Sequence, residues 1–136
     1  MADVFTQGDA YERFMGRWSR LVATRFLEWL DPTPGSRWAD LGCGTGALTA
    51  VVLEHASPSS VLGVDPSPGQ VEEAGRQVTD SRARFETGTA ESLPADGFEV
   101  VVSGLVLNFV PDPDGAVEAM SRAVVPGGTV ASYVWD

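Results

Sequence analysis

Asp40-Leu41-Gly42-Cys43-Gly44-Thr45-Gly46 is the stretch that decides how the rest of the chain reads. It follows a short apolar run, Arg37 to Leu41, which reads as a strand, and precedes Ala47 to His55, which reads as a helix closed by Ser57-Pro58. Glycines at a strand-to-helix turn let the backbone bend tightly and approach a ligand closely, with helix N–H groups aimed at it. The spacing G-x-G-x-G also fits, with Ala47, the permissive dinucleotide pattern G-x-G-x-x-A, so spacing alone leaves a nucleotide-type ligand and a tight structural turn both open.

Asp40 discriminates between ligands. A carboxylate ahead of the first glycine would lie near a dinucleotide's pyrophosphate, where like charges repel. A cationic ligand suits it, and S-adenosylmethionine carries both an ammonium and a sulfonium. An NAD-dependent oxidoreductase is disfavoured on this ground.

Outward from the loop, strands and helices alternate. Val61 to Val64 reads as a second strand, stopped by Asp65-Pro66. Gly69 to Val78 reads as a helix, with Ser67 as its N-cap and Pro68 at the first position, where the missing N–H is harmless. Ala83 to Glu86 is a weak third strand, and Glu99 to Gly104 a fourth whose valine run suits burial on both faces. Asp114 to Val124 reads as a helix ended by Pro126-Gly127-Gly128, and Thr129 to Val134 as a fifth strand. This order predicts an α/β, doubly wound (Rossmann-like) parallel sheet with helices on both faces.

Residues 1–35 form a separate helical segment by their pattern. From Gly8 to Leu30 apolar residues recur at three- and four-residue steps, with Gly16 a possible break into two helices, and Asp31-Pro32-Thr33-Pro34-Gly35 is a stop. The α/β unit then occupies residues 36–136. The fifth strand runs to Trp135-Asp136 with nothing to cover its outer edge, which suggests truncation or pairing with a second copy through that edge.

Composition narrows the function classes. Of 136 residues 43% are hydrophobic and 21% charged, ordinary for a globular domain. Nineteen acids against nine bases give a net charge of −10, and every base is an arginine. Scattered arginines in so acidic a chain argue against a nucleic-acid substrate. The lack of lysine removes Schiff-base chemistry and a P-loop lysine. No run is long enough for a membrane span, no signal peptide is evident, and the single Cys43 fits a reducing cytoplasm.

Four motifs in order, Asp40 to Gly46, Gly63-Val64-Asp65, Gly88-Thr89-Ala90-Glu91-Ser92-Leu93-Pro94 and Val125-Pro126-Gly127-Gly128, resemble those of class I S-adenosylmethionine-dependent methyltransferases. The likeness is in particular to the small-molecule group that includes ubiquinone and menaquinone biosynthesis enzymes. It implies strands 1 to 5 of a seven-stranded fold, S-adenosyl-L-methionine as cofactor with S-adenosyl-L-homocysteine as product, and a small-molecule methyl acceptor. It implies that Asp40 holds the cofactor's amino group while Gly42, Cys43 and Gly44 pass their backbone along its methionine part. Asp65 would take the ribose, on its own equally readable as a turn-forming Asp-Pro. Pro66 would lie against the adenine, Ala90 and Glu91 would border it, and Thr89 stands where many relatives have an aspartate for the adenine amine. Ser103 and Leu105 would flank the methionine part. Tyr11 and Arg17 resemble an element that closes over the cofactor carboxylate, the alternative being a core tyrosine beside a surface arginine.

Other residues read as structural or weakly functional. Asn108, after the fourth strand, is a candidate for acceptor contact, and no catalytic base stands out. Asp112 and Asp114 read as helix caps. His55, alone and far from the loop, makes no metal site. Tryptophans 18, 29 and 38 read as packing, and Trp135 as a possible interface residue. A second reading of the whole is a cofactor-binding fragment, inactive alone or completed by dimerisation.

Overall fold

The computed structural model describes the backbone of residues 2–134, with side chains from Gly16 onward. One long helix, α1 (Ala2–Leu30), leads into β1 (Arg37–Leu41), α2 (Ala47–His55), β2 (Ser60–Asp65), α3 (Pro68–Gln77), β3 (Ala83–Thr87), β4 (Phe98–Gly104), α4 (Pro113–Ala123) and β5 (Val124–Tyr133). Single 3-10 turns lie at Ala90–Ser92 and Leu107–Phe109. Gly16 does not break α1. A glycine inside a helix costs about 1 kcal/mol relative to alanine, which the surrounding turns can absorb.

The five strands form one parallel sheet in the order β3-β2-β1-β4-β5. The chain winds outward from β1 to β3, then returns to the other side of β1 for β4. Parallel order needs crossovers, and α2, α3 and α4 supply them. β2 and β4 are buried along most of their length, as their valine-rich sequences require.

Two apolar clusters hold the layers. Period-two alternation sends Trp38 of β1, with Val61, Val100 and Val102, to one face, where Phe26 and Leu27 of α1 and Leu48 and Val52 of α2 cover them. Ala39 and Leu41 point to the opposite face with Leu62, Val64 and Val101, under Ala116, Ala119, Met120 and Ala123 of α4. Trp38 is fully buried as expected, whereas Trp18 is 45% exposed; Trp29 is 74% exposed and meets the core through a tilted ring contact with Phe26, centroids 6.1 Å apart. It falls outside the stripe that α1 turns to the sheet, which carries Ala23, Phe26, Leu27 and Leu30.

The end of the sheet departs from the sequence reading. β5 begins at Val124 rather than Thr129 and includes Pro126-Gly127-Gly128, which read from sequence as the end of the preceding helix. Its register against β4 jumps from Phe98↔Val124 to Val100↔Thr129, so the intervening residues form a bulge. Gly127, at φ 81, supplies the left-handed turn this needs. The regular ladder starts at Thr129, and β5 is an edge of the sheet. Trp135 and Asp136 lie outside the described residues.

Candidate functional site

Between β1 and β4 the direction of winding reverses, and the loops leaving the carboxyl ends of these two strands part there. In open α/β sheets such a crevice is where ligands bind. Two cavities open at this place, of ≈ 260 Å³ and ≈ 460 Å³, and both are lined by Gly42 and Val106.

The loop after β1 is held by its own hydrogen bonds. Gly42 and Cys43 N–H both donate to Val64 O (2.8 and 3.0 Å), and Gly46 N–H donates to Cys43 O at 2.9 Å. Gly44 N–H donates to Asp65 Oδ2 at 3.0 Å. The N–H groups of residues 42–44 are therefore taken up within the protein, by Val64 O and Asp65 Oδ2. Gly42, at φ 71, is required twice over: a Cβ there would lie 2.6 Å from Val106 Cγ2. Gly46, at φ 93, caps α2 without a side chain.

The smaller cavity lies over Asp40, Gly42, Cys43, Gly44, Gly104 and Leu105. The sequence reading had placed five of these around the cofactor's methionine part; Gly104 it had not. Asp40 is only 1% exposed and forms the cavity floor. Its Oδ2 accepts from the Thr49 hydroxyl at 2.7 Å. Burial pushes its carboxyl up to about 7, against the lowering effect of Thr49, with the Asp65 charge adding to the rise. Burial also pushes the Cys43 thiol up to about 12, with the Asp40 and Asp65 charges behind it, so the thiol stays protonated. Leu105 has φ 62, and its N–H donates to Tyr133 O at 2.8 Å.

The larger cavity gathers the other group: Asp65, Pro66, Thr89, Ala90 and Glu91, with Phe109 on its lip. Asp65 ends β2, and each of its oxygens holds one backbone N–H, Gly44 on Oδ2 and Ser67 on Oδ1 (3.0 and 2.9 Å). One lone-pair direction on each oxygen remains for further donors. Thr89 precedes the 3-10 turn at Ala90–Ser92, and its backbone carbonyl accepts from both the N–H and the hydroxyl of Ser92 (3.0 and 2.6 Å). Its backbone N–H donates to Ser92 Oγ at 3.0 Å.

Other expected site residues fall elsewhere. Ser103 is fully buried, lines neither cavity, and its Oγ has no hydrogen-bond partner among the described residues. It lies on the face of β4 opposite Val102, and hence opposite Asp40. Asn108 is exposed on the 3-10 turn after β4 and lines neither cavity. Arg17 is exposed on α1, whereas Ser19, two residues on, reaches the smaller cavity. The side chain of Tyr11 lies outside the described residues. Asp112 does line the larger cavity, but its side chain caps α4, Oδ1 accepting from Gly115 N–H at 3.1 Å. His55 is half exposed at the end of α2, away from both cavities.

Sequence reading missed Val106, Thr49 and Tyr133. Thr49 stands three residues into α2, so helical geometry alone could have brought it over the loop. Tyr133 belongs to β5, and only the sheet order could have placed it beside β4.

The arrangement has known counterparts. Residues 39–132 match the family model described as a methyltransferase domain, and the chain belongs to that family. It is 32% identical to a trans-aconitate 2-methyltransferase of Deinococcus radiodurans over 127 residues, which cover 93% of this chain and 48% of that protein. A methyltransferase from Haloferax volcanii, solved in complex with the Trm112 methyltransferase activator, superposes with a TM-score of 0.83 at 25% identity, covering 93% of this chain and 57% of that one. An S-adenosylmethionine-dependent methyltransferase from Mesorhizobium loti gives a TM-score of 0.65 at 32% identity, covering 72% and 46%. The chain thus spans about half the length of these relatives.

Proposed function

We propose that this chain binds S-adenosyl-L-methionine across the two cavities and serves methyl transfer to a small-molecule acceptor. The observation that carries the reading is the division of acids between them, Asp40 at the smaller cavity and Asp65 at the larger, on either side of Gly42. A buried carboxylate suits an ammonium, and a carboxylate with one free lone pair on each oxygen suits a ribose diol. Gly42 lines both cavities and stands between them, its bare Cα packed against the Val106 side chain. The consumed N–H groups of residues 42–44 also speak against a dinucleotide, whose pyrophosphate would need them.

In this reading Asp40 and Gly42 to Gly44 hold the methionine part with Leu105, and Asp65 holds the ribose. Pro66, Ala90 and Glu91 border the adenine, with Thr89 in place of an acid. When bound, the cofactor supplies a methyl group already activated on sulfonium, so the protein's task is mainly alignment and exclusion of water. Tyr11, Arg17, Ser103 and Asn108 keep only secondary places: the first two as a closing element, Ser103 as support for β4, and Asn108 toward the acceptor.

The acceptor follows from likeness. The Deinococcus radiodurans relative is named for trans-aconitate, a small organic acid. The resemblance to the ubiquinone and menaquinone group rests on the sequence motifs alone. A reducing cytoplasm is the compartment that the single cysteine fits. Self-association through the outer edge of β5 is the partner arrangement we favour, and a monomer by sedimentation at high concentration would reject it.

A second reading, cofactor binding without transfer by this chain alone, is favoured by its spanning about half of its relatives. Calorimetric titration with S-adenosylmethionine, S-adenosylhomocysteine and NADH tests the cofactor. Binding of the first two and not the third is expected; tight NADH binding alone would overturn both readings. Adding small carboxylic acids and following methyl incorporation separates transfer from binding.

A further inference from the structure

Tyr133 reaches the smaller cavity from the edge strand, and strand register fixes where it lies. β1 pairs Asp40 with Val102 of β4; β4 pairs Val102 with Ala131 and Gly104 with Tyr133 of β5. Residues two apart on a strand share a face, so Tyr133 stands on the face of Asp40, one row nearer the carboxyl ends. Gly104 offers no side chain in that row, and the Tyr133 ring fills the place. A Cβ at Gly104 would lie 2.6 Å from the Tyr133 hydroxyl and 2.7 Å from Cζ. The ring thus crosses from β5 over β4, in the direction of β1. Phe26 of α1 packs against it with ring centroids 4.7 Å apart, which fixes its position.

The hydroxyl stays neutral. Burial, then the charge of Asp40, pushes it up to about 12. Its proton is available to donate throughout the physiological range. Among the described residues no basic side chain lines this cavity; its side-chain donors there are the hydroxyls of Ser19, Thr45 and Tyr133 and the thiol of Cys43. A zwitterionic amino-acid group needs an acceptor for its ammonium and donors for its carboxylate, and Asp40 can meet only the first need.

We propose that Tyr133 is a further binding residue of the smaller cavity, its hydroxyl donating to the carboxylate of an amino-acid group whose ammonium faces Asp40. This rests on the cofactor reading above and adds to it a carboxylate contact made by the edge strand. Tyr133→Phe keeps the ring on Phe26 and removes only the hydroxyl. Its affinity is measured calorimetrically for S-adenosylmethionine and for decarboxylated S-adenosylmethionine, which lacks only the carboxylate. The expected result is a loss of about tenfold for the first, the scale of one hydrogen bond to a charged group, and less than twofold for the second. Equal losses on both ligands, or none on either, would overturn the proposal. Gly104→Ala, whose methyl group displaces the hydroxyl, is expected to show the same selective loss. A wild-type chain that binds neither ligand would instead reject the cofactor reading itself.

Discussion

The Thr49 hydroxyl donates to Asp40 Oδ2 across 2.7 Å, and the two residues are 0% and 1% exposed. A first-turn side chain of α2 is thereby tied to the last polar residue before the glycine loop. The carboxyl sits at about 7 in the folded chain against 3.8 for a free aspartate, because burial disfavours its charge. A carboxyl raised on folding contributes stability below its unfolded value, and that contribution is lost as pH rises through the folded value. Asp40→Asn, which keeps an acceptor for Thr49, is therefore expected to stabilise the chain at pH 8 by up to a few kcal/mol and to change little at pH 4. Denaturant unfolding of both proteins at the two pH values checks this, and a gain independent of pH would remove Asp40's charge as its cause.

Thr49→Val should act in the opposite sense. It keeps the shape of the side chain and strips the side-chain donor that, among the described residues, bonds the Asp40 carboxylate, at about 1–3 kcal/mol near pH 8. The penalty should shrink in acid, where Asp40 is neutral. A loss of equal size at both pH values would assign the effect to packing in α2 instead.

Asp65→Asn separates ligand binding from loop support. The amide oxygen can still accept one backbone N–H, while a ribose diol loses one of its acceptors. Affinity for S-adenosylhomocysteine is expected to fall by about 1–3 kcal/mol, on the scale of hydrogen bonds to a charged group. Unchanged affinity by calorimetry would remove Asp65 from the site. Asp65→Ala should do more, since it also releases Gly44 and Ser67.

Much of this fold was legible because β1 and α2 carry their own punctuation. Asp40 to Gly46 marks both the end of one and the start of the other, and the bounds Arg37–Leu41 and Ala47–His55 agree with the structure. Ser67-Pro68 marked α3 equally well, with Ser67 accepting from Gln70 N–H. Pro126-Gly127-Gly128 misled, because the same residues that end a helix also build a bulge, and only the partner strand decides between them. The larger cavity was legible in outline because Asp65-Pro66 and Thr89-Ala90-Glu91 each follow a strand whose neighbour is fixed by the sheet order. Val106 and Tyr133 were not, since each matters through a bare glycine on another segment, Gly42 and Gly104, that leaves it room. Ser103 lines neither cavity for a simpler reason: one step along a strand reverses the face.

The contact between Gly42 and Val106 can be tested by splitting it into two parts. Gly42→Ala forces a methyl to within 2.6 Å of Val106 Cγ2 and places alanine at φ 71. Overpacking costs about 1–3 kcal/mol, and the left-handed backbone a further 1–2 kcal/mol. Adding Val106→Ala should recover the first part and leave the second. Full recovery in the double variant would show that the backbone at residue 42 relaxes.

Asp112 lines the larger cavity, so an acid–base role and a capping role compete for it. The geometry favours the cap: its Oδ1 accepts from Gly115 N–H, and Pro113 follows at the first helical position. Asp112→Ala should then cost about 1 kcal/mol of stability, and Asp112→Ser should restore most of it, because a serine hydroxyl caps nearly as well. A general base would behave differently, since serine cannot replace a carboxylate that takes up a proton. Methyl transfer that persists in Asp112→Ser, with recovered thermal stability, assigns the residue to the helix. A stable serine variant that binds S-adenosylmethionine at full affinity yet transfers no methyl would assign it to the chemistry instead.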